Sequence, residues 1–479
     1  MAEETLKQKT ARGLFWGLIN NGTQQFLNLF FGIFLARLLT PADYGMVGML
    51  TVFSLIAGAL QESGFISALT NKKEITHQDY NSVFWFSLIV SFTLYWFLFF
   101  SAPLIADFYD KPELIPLARY SFMGFFIAST GIIPGAYVFR NLMVRDKALG
   151  TILALAMSGI VGVILAFNGF SYWGIATQSI VYITFLNIYL WIKCPWRPTL
   201  HFTFAPIREM IGFSSKLLFT NVFNHINNNI FSIILGRFYT EKEVGQYNQA
   251  NKWNGMGHYM ITGMVSSVAQ PILAQVTDDK ERQLRTFRKM LRFTAFISFP
   301  CMFGLSLVAP ELITIAITDK WKVSAQLLQI LAVGGAFIPI ANLYSNLLIS
   351  RGKSNIYMWN TVTLGVLQLF VMLFLYDYGI FTMVSVYVCI NILWLLIWHY
   401  FARKEIQISL FHALKDILPY AFVSALVMIG SFLLTKGISN IYFLFVSRVI
   451  IAVILYTSVM WISGSVTFRE CLSYLLKKK

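Results

Sequence analysis

Charge is scarce in this sequence: Asp, Glu, Lys and Arg make up 12% of its 479 residues, about half the share of an ordinary soluble domain. So few charges cannot cover the water-facing surface of a chain this long, which excludes a soluble enzyme and a disordered chain. Cysteine is sparse as well. Cys194, Cys301, Cys389 and Cys471 lie far apart, so neither a disulfide framework nor a zinc site is indicated. His77, His201, His225, His258, His399 and His412 show no metal-ligand spacing. No Gly-rich turn leads into Gly-Lys-Ser/Thr, so direct drive by ATP is not expected, nor is any cofactor.

What the chain has in abundance is apolar surface: 57% hydrophobic and 16% aromatic residues, with a mean hydropathy of +0.64. About 20 apolar residues span a bilayer as a helix. Fourteen such stretches can be marked, at 13–38, 44–69, 80–106, 115–141, 148–167, 170–192, 207–236, 244–272, 289–315, 323–350, 354–376, 379–401, 416–435 and 441–463. The runs are continuous rather than alternating, so strands are not expected. The links at Asn168-Gly169 and Asp377-Tyr378-Gly379 are short enough to demand tight hairpins. The expected class is an all-α polytopic membrane protein. Met1-Ala2-Glu3-Glu4 is acidic and leads into a long, polar-spotted stretch, so the first helix is expected to stay as an anchor.

The net charge is +15. Nucleic acid is not the expected partner, because the cations are spread through short loops rather than gathered on one face. Sorting the loops alternately puts 27 of the 37 Lys and Arg on the side of the N-terminus and 8 on the other, with Lys252 and Arg448 within spans. The positive-inside rule then places both termini in the cytoplasm. The acids divide 12 to 9, with Glu62 read as the one carboxylate well within a span and Glu311 sorted with the outer group.

An internal repeat is visible. Leu35-Ala36-Arg37-Leu38-Leu39-Thr40 with Gly45 matches Leu235-Gly236-Arg237-Phe238-Tyr239-Thr240 with Gly245 at an offset of 200. In the helix before it, Asn21, Gln24, Gln25 and Asn28 fall on Asn221, Asn224, His225 and Asn228. Six helices per repeat return the chain to the same side, so the repeats are parallel. The expected organisation is two six-helix lobes, 1–200 and 201–403, followed by a two-helix extension, 404–479. Such lobes suit alternating access by rocking.

The run Leu35-Ala36-Arg37-Leu38-Leu39-Thr40-Pro41-Ala42-Asp43-Tyr44-Gly45 resembles the end of the first helix in Wzx-type polysaccharide flippases. So does Gln61-Glu62-Ser63-Gly64-Phe65, and Pro103-Leu104-Ile105-Ala106-Asp107-Phe108-Tyr109 is similar to the WzxC-like branch, the colanic and teichuronic acid exporters. These belong to the multidrug/oligosaccharidyl-lipid/polysaccharide superfamily. The resemblance implies a flippase that moves undecaprenyl-diphosphate-linked oligosaccharide from the cytoplasmic to the outer leaflet. The implied partners are that lipid-linked oligosaccharide, the phospholipid bilayer and polysaccharide polymerase or assembly proteins.

Several residues are candidates for transport. The spacings 21/24/25/28 and 221/224/225/228 gather Asn21, Gln24, Gln25, Asn28, Asn221, Asn224, His225 and Asn228 on matching helical faces. Amides there either line a hydrophilic cavity that bonds sugar hydroxyls or bond neighbouring helices. Lys252, close after Gln249, suits a diphosphate, and Arg37 and Arg119 suit an anionic headgroup or helix packing. Glu62 is the candidate for ion coupling. Arg448 has no acid near it in sequence. The stripe Arg282, Arg285, Arg288, Lys289 and Arg292 reads as a topology signal in contact with anionic lipid. The alternatives are a cation-coupled multidrug exporter, which would be expected to carry carboxylates on these faces, and a membrane polymerase or ligase. The short outer loops without histidine speak against the enzyme.

Overall fold

The computed structural model describes the backbone of residues 6–62, 69, 72 and 74–476, and the side chains of 22–60, 69, 72, 74–208, 222–470 and 472–473. Among them are seventeen α-helices. They are α1 Leu6–Leu38, α2 Pro41–Glu62, α3 His77–Tyr109, α4 Leu114–Ser129, α5 Ile132–Arg140, α6 Val144–Phe167, α7 Tyr172–Lys193, α8 Ala205–Phe238 and α9 Glu241–Gln275. They continue with α10 Lys280–Ile317, α11 Lys322–Gly335, α12 Ile338–Ser350, α13 Ser354–Leu375, α14 Ile380–Ile406, α15 Leu410–Thr435, α16 Ile441–Ile462 and α17 Val466–Leu476. No strand occurs among the described residues.

Thirteen of the fourteen apolar stretches lie on these helices or pairs of them to within two residues, and that at 44–69 follows α2 as far as Glu62. Ten segments are long and apolar enough to cross a membrane, and eleven if the bent pair α4–α5 forms one span. The pair α11–α12 counts as one of the ten. The stretch on α9, which is described in full, falls short of that measure because its amides and glycines lower its hydropathy. The structure adds α17, a short helix beyond the last apolar stretch.

Local chemistry sets the helix ends. Thr40, Thr76 and Thr240 each cap a helix: the hydroxyl accepts from the backbone N–H three residues on, and the carboxylate of Asp43, Asp79 or Glu243 accepts from the threonine's own N–H. Each reciprocal box satisfies two donors that a helix start leaves unpaired. The two short links turn through glycines in the left-handed region, Gly169 at φ 80° and Gly379 at φ 86°.

The chain forms two compact units, residues 1–245 and 246–479. In the first, α6 packs against α1 and α7, α3 against α4, and α8 against α2 and α3. In the second, α10 is the hub and touches α11, α12, α14, α15 and α16. At 38 residues it is about 57 Å long, longer than the ~30 Å hydrocarbon layer, so its basic first turns extend into water. The outward faces are apolar. Phe97, Phe100 and Leu104 on α3, and Phe422, Leu426, Ile429 and Leu433 on α15, form exposed stripes at helical spacing. Soluble proteins do not leave such stripes uncovered, and here lipid covers them. The protein is a multi-pass membrane protein.

Candidate functional site

In the first unit the two copies of the repeat meet. A Cβ on Gly45 would overlap the carbonyl oxygen of Glu241, and a Cβ on Gly245 would overlap the carbonyl oxygen of Pro41. Positions 41 and 241, like 45 and 245, are equivalent under the offset of 200, so the contact is reciprocal. Each helix start crosses the other with its glycine against the partner's backbone. Only a residue without a side chain allows this approach. Gly236 fits beneath Tyr109 and Met49 in the same region.

Polar contacts fasten this crossing. Lys111 Nζ lies 2.7 Å from Glu241 Oε2. That contact holds the Lys111 ammonium above the ordinary lysine range and the Glu241 carboxylate below the ordinary carboxylate range. Arg237 donates to the Phe108 carbonyl oxygen at 2.6 Å and sits over the Phe108 ring. Asp43 accepts from Ser171 in addition to Thr40.

The helices that lead into the crossing carry the candidate amides. On α1, Gln24 is half-buried and Gln25 and Asn28 are exposed. On its opposite side Phe26, Phe30 and Phe34 form an exposed aromatic stripe. A helix with phenylalanines on one side and uncovered amides on the other meets lipid with the first and water with the second. On α8, Asn224 and His225 are half-buried and Asn228 is exposed, while Asn229 is bonded within the helix to the His225 carbonyl oxygen at 2.9 Å. The side chains of Asn21, Asn221 and Glu62 lie outside the described residues. Arg37 is exposed at the end of α1. Arg119 is taken up between α3 and α4: its Nε donates to the Phe99 carbonyl oxygen at 3.3 Å and its guanidinium stands 4.3 Å from the Phe99 ring centre.

In the second unit α9 shows two polar faces. Lys252 and Asn251 are exposed. Gln246, Gln249, Asn254 and His258 point inward and are buried. Gln246 donates to the Lys320 carbonyl oxygen at 2.8 Å and accepts from Ser324 N at 2.8 Å. Gln249 Oε1, Asn254 Oδ1 and His258 Nδ1 are buried without a hydrogen-bond partner. The spacing 246/250/254/258 is the signal that separates the inner face from Lys252; Gln249, read from the sequence as a substrate contact beside Lys252, is buried instead.

Two charged clusters lie around α10, and both revise the sequence reading. Arg448, which has no acid near it in sequence, pairs with Glu311 at 2.6 Å, and both are 7% exposed. Glu311 therefore belongs within a span, six residues before the end of α10, rather than with the outer loops. The expectation of a single carboxylate within a span does not hold. At the other end of α10, Asp416 is buried and accepts from Arg288 Nε at 2.6 Å and from Arg292 Nη1 at 3.2 Å. Lys289 pairs with Glu470 at 2.8 Å. Three of the five cations of the basic stripe are thus used for helix docking rather than left to lipid. No cluster of metal-binding side chains occurs among the described residues.

Comparison with known proteins places this architecture. The chain is 25% identical to the lipopolysaccharide biosynthesis protein WzxC of Escherichia coli (strain K12) over 360 residues, 74% of this chain and 72% of that protein. Its fold is shared with the lipid II flippase MurJ in an inward closed conformation, with a TM-score of 0.77 and 17% identity over 96% of this chain and all of the other. An inward-facing multidrug resistance transporter of the MATE family matches with a TM-score of 0.62 and 16% identity over 87% and 96%. The model of a family described as polysaccharide biosynthesis protein matches residues 34–326, more than half of the chain. With its repeated helices and reciprocal crossing, the chain belongs to the polysaccharide biosynthesis protein family.

Proposed function

We propose that this protein is a flippase, and not an enzyme, that carries a lipid-linked oligosaccharide across the membrane. The observation that carries the reading is the pair of amide faces, Gln24/Gln25/Asn28 and Asn224/His225/Asn228, on two helices related by the repeat. An amide offers donors and acceptors together and suits sugar hydroxyls of any orientation. Several neutral hydrogen bonds of about 1 kcal/mol each hold a sugar chain without trapping it. Lys252, exposed on a helix adjoining the repeat, supplies the cation for a diphosphate. That WzxC is a lipopolysaccharide biosynthesis protein and MurJ a lipid II flippase supports this reading.

The cargo would be an undecaprenyl-diphosphate-linked repeat unit moving from the cytoplasmic to the outer leaflet of a bacterial inner membrane, with both chain termini in the cytoplasm. Residues 1–200 and 201–403 would act as the two rocking halves, with 404–479 as an addition, and an ion gradient acting through Glu62 would supply the work. Arg37 is a secondary contact for the diphosphate, and Arg119 serves packing first. A polymerase or assembly protein would receive the product.

A cation-coupled drug exporter is the second reading, favoured by the fold shared with the MATE transporter. Among the described residues, the exposed faces of α1 and α8 around the amides hold no carboxylate to receive a cationic drug. Deletion of the gene decides between them. Lipid-linked oligosaccharide should accumulate on the cytoplasmic leaflet, and Lys252→Ala or Glu62→Gln should lower surface polysaccharide while the protein still inserts. A fall in cationic dye efflux with normal polysaccharide would establish the exporter instead.

A further inference from the structure

A cavity of about 720 Å³ opens between α10, α11, α15 and α16. Its walls are apolar, with Phe303, Val333, Met428, Ile429 and Phe432 among them, and Glu311 and Arg448 also line it. Val333, Ile429 and Phe432 are themselves exposed on the lipid-covered surface, so the cavity opens toward the bilayer. Arg448 also borders a second cavity of about 380 Å³, walled by Cys301, Leu305, Val449 and Val453.

The charged pair in the wall is incompletely satisfied. Arg448 donates from Nη1 to Glu311 Oε1 at 2.6 Å and to the Leu307 carbonyl oxygen at 3.3 Å, and from Nε to Thr435 Oγ1 at 3.4 Å. Its Nη2 makes no hydrogen bond among the described residues. Glu311 Oε2 is buried and has no hydrogen-bond partner among the described residues. A buried carboxylate oxygen without a donor is costly in a low-dielectric surrounding. The wall therefore presents an acceptor that needs a cationic donor beside a donor that needs an anion.

Depth narrows the occupant. Glu311 lies six residues from the end of α10, and Arg448 seven from the start of α16, about 10 Å below the helix ends at 1.5 Å per residue. That is immediately beneath a headgroup layer, with apolar walls extending toward the bilayer centre. We propose that this cavity binds a phospholipid whose headgroup carries a primary ammonium. The ammonium donates to Glu311 Oε2, the phosphate accepts from Arg448, and an acyl chain lies along Phe303, Met428 and Phe432. A choline headgroup has no N–H to give Glu311. A glycerol headgroup can donate from its hydroxyls but brings no positive charge to balance the carboxylate.

The test is native mass spectrometry of the full-length protein, equilibrated with phosphatidylethanolamine, phosphatidylcholine and phosphatidylglycerol of identical acyl chains. The native protein should retain phosphatidylethanolamine about tenfold over the other two, the effect of one hydrogen bond to a charged group. Glu311→Gln should bring the three within about twofold. Ile429→Trp narrows the mouth and leaves the ion pair intact, so retention of all three lipids should fall. Equal retention by the native protein would overturn the site. So would a preference that survives Glu311→Gln, or retention that Ile429→Trp leaves unchanged.

Discussion

Residues 40–45 and 240–245 are built alike and fastened differently. Both begin with a threonine box, and both press a glycine against the other's backbone. In the first copy Asp43 is 8% exposed and takes Ser171 as well as Thr40. In the second, Glu243 is half-buried and closes its box with Thr240 alone. Where the first has Pro41, which has no charge and no N–H, the second has Glu241, paired with Lys111. Shape complementarity is common to both copies. The ionic fastening belongs to one, and there it is part-exposed, so salt and pH reach it. The crossing is held by fit and trimmed by charge.

The fit should be the largest effect. Gly45→Val and Gly245→Val each put a branched side chain into the opposing backbone, and overpacking of this kind costs about 1–3 kcal/mol or more. Each should reduce surface polysaccharide at least tenfold while membrane abundance by immunoblot is kept. If one is tolerated and the other is not, the crossing is not reciprocal. The caps come next. Asp43→Ala removes a cap and the bond from Ser171 and should cost about 2 kcal/mol, and Glu243→Ala about 1 kcal/mol. Thermal unfolding in detergent, followed by tryptophan fluorescence, should rank them in that order.

The ion pair is the smallest term. With side chains 34% and 28% exposed, it contributes about 0.5 kcal/mol, less in salt. Lys111→Gln should shift the separation of spin labels at residues 110 and 242 toward a wider population by roughly twofold. The pH dependence follows from both shifts. Glu241, held low, contributes above the ordinary carboxylate range and loses its contribution as pH falls through its depressed value. Lys111, held high, contributes below the ordinary lysine range and loses its contribution as pH rises through its raised value. Neutral pH lies inside both limits, so acid on that face of the membrane should loosen the crossing in the native protein and leave Lys111→Gln unchanged.

The helices were readable because each is a local pattern: a continuous apolar run, a threonine box, a glycine at a tight link. The repeat was readable for the same reason, since the offset of 200 is carried by short motifs. What sequence could not supply is partnership between distant helices. Arg448 and Glu311 are 137 positions apart, and nothing in either neighbourhood announces the other. Glu311 stands near the end of the stretch 289–315, where its position alone does not separate it from the outer acids. Asp416, at the start of a span, gave no sign that it would collect two arginines from α10. The orientation of α9 was half legible: its polar residues were evident, but which of them face inward depends on α11 and on Gly335, beside which Asn254 closes.

The fastening of α10 also bears on how the last helices are inherited. Asp416 receives Arg288 and Arg292 near one end of α10, and Arg448 receives Glu311 near the other. A chain ending at residue 404 would leave two arginines and a glutamate without counter-charges, the glutamate inside the hydrocarbon. The helix pair is therefore not an appendage that could have been gained or lost freely. Its charges and those of α10 form one heritable unit. Across relatives, positions 311 and 448 should lose, keep or exchange their charges together, and a lineage without the pair should carry neutral residues on α10.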